Sequence, residues 1–347
     1  MKRESALVLL QRLAAEGVTP WMDDGGRRRP AGGVPDRLSG SPPPFRGAVI
    51  PPSCPAAARH ACDALLPVHE ASGGRDGHVS APVDPRAAHD ADALTAAAGT
   101  LHRAVERPNL LVRIPATPAG LVALADCLAE GIGVDSTLVF CAERYAQVLD
   151  AYFTGMERAL TAGLPLQPLT CVTSFPVGPL DTEANARLTR PRAAPSECGA
   201  AARACVRGEG DGPPGGPAGP VEGVGADYPV ALAVARQVFR VREERLAGQW
   251  WRVLRAGGAA PPRLLWTEPE HRHIGALIGW NTAIALPPDV LESAPDDLEL
   301  CGDTLLNSHR EGLRTLAALE RHGVRMAELA DVLESRELAR LQHAWKA

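Results

Sequence analysis

A chain of 347 residues is long enough for one large domain or two ordinary ones, and 45% hydrophobic residues with a net charge of −5 suit a globular protein rather than a nucleic-acid binder. Eight cysteines that occur singly, with no CxxC pair, argue against a zinc ribbon and a secreted disulfide framework. No stretch approaches the roughly 18 apolar residues of a membrane span, and the apolar run 6–10 is too short for a signal peptide, so the cytoplasm is the expected compartment.

The chain opens with a helical pattern, Leu7, Leu10, Leu13 and Ala14, closed by Gly17. Residues 18–23 read as a short buried strand ending in the acidic pair Asp23-Asp24, and residues 25–46, rich in Gly, Pro and Arg, predict irregular chain. A second strand at 48–50 runs into Pro51-Pro52, and a third at 78–84 contains Pro82. Proline donates no ladder hydrogen bond, so these two strands are where a sheet would be expected to fail first. Residues 110–116 predict a fourth strand with one long cation, Arg113, in its middle, and residues 132–140 a fifth.

A helix is predicted over 142–162, because Tyr145, Val148, Leu149, Tyr152, Met156 and Leu160 share one face before Gly163. A sixth strand spans 169–175. Residues 190–226, dominated at 208–219 by Gly and Pro, carry too little apolar surface to offset the entropy of ordering and predict a disordered insertion. Helical periodicity resumes over 230–254, residues 263–266 and 282–286 supply strands seven and eight, and two terminal helices follow, the last over 326–345.

Short apolar strands that alternate with helices of a dozen residues predict parallel strands with crossovers. Eight of them would close as an α/β barrel of the (β/α)8, TIM type: one expected domain over 1–347, with an N-terminal helix, a Gly/Pro-rich insertion and extra C-terminal helices. An open doubly wound sheet is the alternative, and the lack of a GxGxxG after an early strand counts against a dinucleotide-binding version of it.

Several spaced blocks resemble the transaldolases, in the longer bacterial form. They are Leu10-Gln11-Arg12-Leu13 with Trp21-Met22-Asp23-Asp24, Val79-Ser80 with Val83-Asp84-Pro85-Arg86, Arg107-Pro108-Asn109 through Gly120, and residues 134–140. Glu143-Arg144-Tyr145, residues 172–175, Asp181-Thr182-Glu183 and Cys301-Gly302-Asp303-Thr304 are similar to that family too. The resemblance implies a barrel whose site lies at the C-terminal strand ends, and transfer of a dihydroxyacetone unit between sugar phosphates in the pentose phosphate pathway, with no metal and no cofactor. In that chemistry a strand-four lysine forms an imine with the ketose carbonyl.

Carried onto this chain, the resemblance puts the catalytic acid/base at Asp23, the Schiff-base lysine at Arg113, and the strand-five asparagine and threonine at Asp135 and Thr137. The strand-six serine falls at Ser174. Pro51, Pro82 and Pro179 stand where the family has an asparagine, a glutamate and a phosphate-binding arginine. Glu268 and Glu270 stand where it holds phosphate, beside His271 and Arg272. A guanidinium has a pKa above about 12 and no accessible nucleophilic lone pair, so Arg113 cannot form the imine. As a buried cation it needs a counterion, for which Asp23 and Asp135 are the candidates. His271 and His273 would share one side of an extended segment with Glu268 and Glu270 nearby, but a metal site needs a third ligand in fixed geometry, so no metal is expected. The expectation is a transaldolase-like protein with a sugar phosphate as its ligand, impaired or inactive as a Schiff-base enzyme. The alternative is an enzyme that runs other chemistry on a small polar or anionic substrate through Asp23, Arg113, Asp135, Thr137 and Ser174. Neither nucleic acid nor membrane is expected as a partner, and the sequence leaves the oligomeric state open.

Overall fold

A computed structural model describes residues 2–24, 45–189, 229–295, 298–300 and 302–346. The insertion expected over 190–226 lies outside these residues, as does the irregular segment expected after Asp24, apart from Phe45 and Arg46. Eight strands, β1 (Val18–Asp23), β2 (Gly47–Val49), β3 (His78–Pro82), β4 (Leu110–Pro115), β5 (Val134–Thr137), β6 (Cys171–Pro176), β7 (Arg263–Thr267) and β8 (Thr282–Leu286), pair in chain order as a closed barrel. Every pairing is parallel, and β8 closes on β1 from Val18↔Thr282 to Met22↔Leu286. Closure sets aside the open-sheet alternative.

Around the strands lie α1 (Lys2–Ala15), α2 (Pro55–Ala71), α3 (Ala91–Val105), α4 (Pro118–Ala129), α5 (Ala142–Thr161) and α6 (Val177–Thr189). They are followed by α7 (Val230–Leu246), α8 (Gln249–Ala256), α9 (His271–Ala276), α10 (Pro288–Glu292), α11 (His309–Arg321) and α12 (Met326–Lys346). None among the described residues is long and apolar enough to cross a membrane. The single periodic stretch expected over 230–254 is two helices, because Gly248 in extended conformation (φ −71°, ψ 163°) ends one and starts the next.

Strands two and three do not fail at their prolines. Pro51-Pro52 follow β2 instead of interrupting it, and Pro82 is the last residue of β3, where it still registers with Arg113. The ladder hydrogen bonds on either side come from Ile50 N–H to the Ser80 carbonyl (3.0 Å) and Val83 N–H to the Arg113 carbonyl (3.2 Å). A proline at a strand end removes a donor the sheet does not use there.

The period of two along each strand sorts the side chains into two shells. Leu110, Val112 and Ile114 on β4 join the large core between barrel and helices, whereas Leu111 belongs to a separate cluster with Trp21, Val49, Val172, Leu265, Ala283 and Ala285. That second cluster fills the barrel interior. Gly47 makes room for it, since a methyl group there would collide with the Trp21 indole. Two residues further along the same inward faces come Asp23, Arg113, Ser174 and Thr267, so an apolar layer inside the barrel is capped by a polar one at the C-terminal ends.

Candidate functional site

The polar layer opens into a cavity of roughly 360 Å³ at the C-terminal mouth, walled by Asp23, Arg113, Thr137 and Ser174 and by the prolines Pro51 and Pro82. Local chain geometry supports its rim. After β4, Thr117 caps α4 by accepting the Gly120 N–H (3.0 Å), and Pro118 occupies the first turn, where its missing donor costs nothing. Leu138, directly after Thr137, and Glu268, directly after β7, hold positive φ values of 63° and 52°. Non-glycine residues in this region are uncommon and cluster where the surrounding structure forces them.

Arg113 and Asp135 are register partners on β4 and β5. The half-buried guanidinium donates through Nη2 to the carbonyl oxygen of Ile50, beyond the end of β2. Burial pulls its pKa down, and the nearby charges of Asp135 and then Asp23 work against that pull. Asp135 is fully buried and accepts from Ser80 Oγ at 2.5 Å and from Ser174 Oγ at 2.9 and 3.0 Å. Burial raises its pKa, while Arg113 and the two serine hydroxyls favour the charged form. Asp135 and Asp23 thus both favour the charged guanidinium from nearby, and Asp135 sits inside a three-strand network of β3, β5 and β6. Asp23 ends β1 almost fully buried, and half-buried Thr137 ends β5 at the cavity wall.

The last helix closes over this mouth. Glu337, Arg340, Leu341 and Trp345 of α12 line the cavity, and Arg340 bonds Glu268 (3.0 Å) and Glu337 (2.5 Å). Further ties hold the helix down: Arg336 to Glu183 (2.8 Å), Arg144 to Glu334 (3.0 Å) and Gln342 to the Pro85 carbonyl (3.2 Å). Burial raises the pKa of Glu268, opposed by Arg340 and assisted by Glu337 and Asp23.

The structure brings Asp23, Arg113, Asp135, Thr137 and Ser174 to one end of the barrel. Pro179 is placed apart from them, in the first turn of α6. His271 and His273 do not share a side of an extended segment, since both lie on α9. His273 Nδ1 accepts the Glu270 N–H (2.9 Å), which leaves Nε2 to donate to Asp181 (2.9 Å), while His271 Nε2 turns to the Val290 carbonyl on α10 and to Ser293 just after it. Ser80 and Arg340 were not among the expected site residues. Ser80 had a usable signal, its inward position two residues before Pro82 on a strand, whereas nothing local marks Arg340.

Chemically the mouth offers two guanidinium groups, Arg113 and Arg340, with several carboxylates and hydroxyls, and no amine among the side chains the structure describes. The match to a family model described as transaldolase/fructose-6-phosphate aldolase covers residues 55–206. The chain is 36% identical to the transaldolase of Acidothermus cellulolyticus over 295 residues, covering 83% of this chain and 72% of that protein. It is 32% identical to transaldolase 1 of Streptomyces avermitilis over 376 residues, covering 97% of this chain and 92% of the relative. Transaldolase 1 of Streptomyces coelicolor gives 33% over 377 residues. With that likeness running through nearly the whole barrel, the chain belongs to the transaldolase family.

Proposed function

We propose that this protein is a transaldolase-like barrel that has lost Schiff-base transfer and acts as a non-catalytic, ligand-binding homologue of the pentose phosphate enzymes, in the cytoplasm. One observation carries the reading. Arg113 occupies the inward position of β4 at the mouth, the place where the resemblance puts the lysine, and the chain's two lysines are Lys2 and Lys346 at its far ends. A guanidinium there binds anions and positions dipoles but does not attack a carbonyl. Pro51 and Pro82 in the wall give no side-chain hydrogen bond, so a ketose bound there is held with fewer orienting contacts.

Borohydride reduction in the presence of fructose 6-phosphate tests this, read by intact mass and peptide mapping. The expected outcome is no covalent adduct. A reduced sugar adduct on any residue of the native chain would sink the proposal.

The second reading, other chemistry on a small polar or anionic substrate, draws on the Asp135 network. A buried carboxyl with a raised pKa, held by Ser80 and Ser174 beside Arg113, is a pairing of groups that enzymes use for proton transfer. Turnover of any polyol or hydroxy acid that disappears in Asp135→Asn but survives borohydride treatment favours this reading over the first.

A further inference from the structure

A second cavity lies at the opposite, N-terminal end of the barrel and is larger, about 860 Å³ against about 360 Å³ at the mouth. Its charge is the reverse of the mouth's. The mouth wall carries Asp23, Glu268, Asp289 and Glu337 against Arg113 and Arg340. The floor wall carries Arg46, Arg75, Arg255 and Arg263 against Asp76 and Glu243, in a chain whose overall charge is −5.

The two floor carboxylates do not neutralise these arginines. Asp76 is shared by Arg263 (2.8 Å) and Arg46 (3.6 Å), so one negative charge serves two guanidinium groups. Glu243 is engaged by Arg242 (3.0 Å), a fully buried guanidinium that adds a further positive charge behind the wall. Arg75 uses Nε on the Ser72 carbonyl (3.1 Å), and Arg255 on α8 has no ion-pair partner among the described residues. Guanidinium N–H groups in excess over their acceptors form a site for an oxyanion, because each fork matches two oxygens of a phosphate or carboxylate.

The same wall carries an aromatic surface. Trp280 is 61% exposed, unusual for so large a ring, and the Arg242 guanidinium carbon lies 5.5 Å from its ring centroid. Arg242 is fully buried, whereas most of the Trp280 side chain is exposed and lines the cleft. Stacking on such a face contributes about 1–3 kcal/mol per base. The cavity also falls within the range of roughly 300–1,000 Å³ common for small-molecule sites.

We propose that this floor cleft binds a phosphate monoester of mononucleotide size, with its flat ring on Trp280 and its phosphate held by Arg255 together with Arg46 and Arg263. The site is separate from the mouth and does not depend on what the mouth binds. Titration of the full chain with AMP, adenosine and inorganic phosphate by calorimetry tests it. AMP is expected to bind at one site, with adenosine and phosphate each at least about tenfold weaker, the loss that follows from removing one charged hydrogen-bonding group or one stacked ring. Arg255→Ser and Trp280→Leu are each expected to weaken AMP by about tenfold or more, while Trp280→Phe retains most of the affinity. Arg255 and Trp280 are exposed, so the variants should fold, which a thermal melt of each verifies. No AMP binding, or AMP binding indifferent to both floor substitutions, would overturn the proposal.

Discussion

Arg113 and Asp135 face each other across the β4–β5 ladder, a guanidinium and a carboxyl in register on the inner wall of the barrel. Asp135 also takes hydrogen bonds from Ser80 and Ser174, so both its oxygens are satisfied while the nearby Arg113 charge favours its ionised form. Removing the cation leaves a buried carboxylate with hydroxyl donors alone. Arg113 is half-buried and acts on Asp135 as a nearby charge, so the loss should stay below the roughly 3–5 kcal/mol of breaking a fully buried, directly bonded pair. Arg113→Met should therefore unfold at lower urea at pH 8, and adding Asp135→Asn should restore part of the loss. Equal midpoints for Arg113→Met and the parent would mean that the two groups do not depend on each other.

Arg113→Lys returns an amine to the barrel wall and separates the missing nucleophile from the missing neighbours. Reduction with borohydride and fructose 6-phosphate should then give a slow adduct at residue 113. Multiple turnover should stay at least about 100-fold below that of the Acidothermus cellulolyticus relative, because Pro51 and Pro82 orient no hydroxyl and assistance by an acid/base group is worth roughly 10²–10⁴-fold. A coupled assay for glyceraldehyde 3-phosphate release gives the ratio. Turnover close to the relative's would show that the single residue governs activity.

Two buried groups give the fold opposite responses to pH. His78 is 1% exposed with neither ring nitrogen hydrogen-bonded among the described residues, and burial pushes its pKa from 6.5 down to about 3. The unfolded chain binds that proton more tightly, so stability rises with pH across the window from about 3 to 6.5. At pH 5 the penalty is about 2 kcal/mol, from 1.36 kcal/mol per unit over roughly one and a half units. Asp135 works the other way. Its raised pKa means that the folded chain holds the proton longer, so stability falls as pH climbs from about 4 towards the folded value. His78→Leu should therefore flatten the rise of a urea-stability profile between about pH 3 and 6.5, and Asp135→Asn should steepen it by removing the opposing fall that starts near pH 4. Slopes that both variants leave as in the parent would contradict this account.

The barrel was legible because it is written in short-range patterns. Period-two strands such as 110–116, and the apolar face of 142–162, depend on residues a few positions apart. The same alternation placed Asp23, Arg113, Asp135 and Ser174 on one inner surface. Pro51 and Pro82 leave their strands intact because a proline's effect depends on whether it falls inside a strand or at or beyond its end, and strand ends are poorly marked in sequence. The long periodic stretch 230–254 hid a break at Gly248, since helical spacing continues in phase through a short kink. Arg340 and Glu268 are 72 positions apart and meet only because α12 folds back across the mouth, a long-range contact that no local pattern announces.

Glycine to alanine should have opposite signs at two buried positions. At Gly47 on β2 the added methyl would run into the Trp21 indole, which fills the barrel interior with neighbours packed on every side. Neither ring nor strand can give way without disturbing the β1–β2 register, and overpacking of this kind costs about 1–3 kcal/mol. Gly99 lies inside α3, and a methyl there would meet only the far end of the Arg103 side chain, at 3.1 Å. That flexible guanidinium can swing aside, while the helix gains the roughly 0.5–1 kcal/mol that separates alanine from glycine. Urea midpoints should therefore fall for Gly47→Ala and hold or rise for Gly99→Ala. A Gly47→Ala variant as stable as the parent would mean that the barrel interior is packed less tightly than the Trp21 cluster implies.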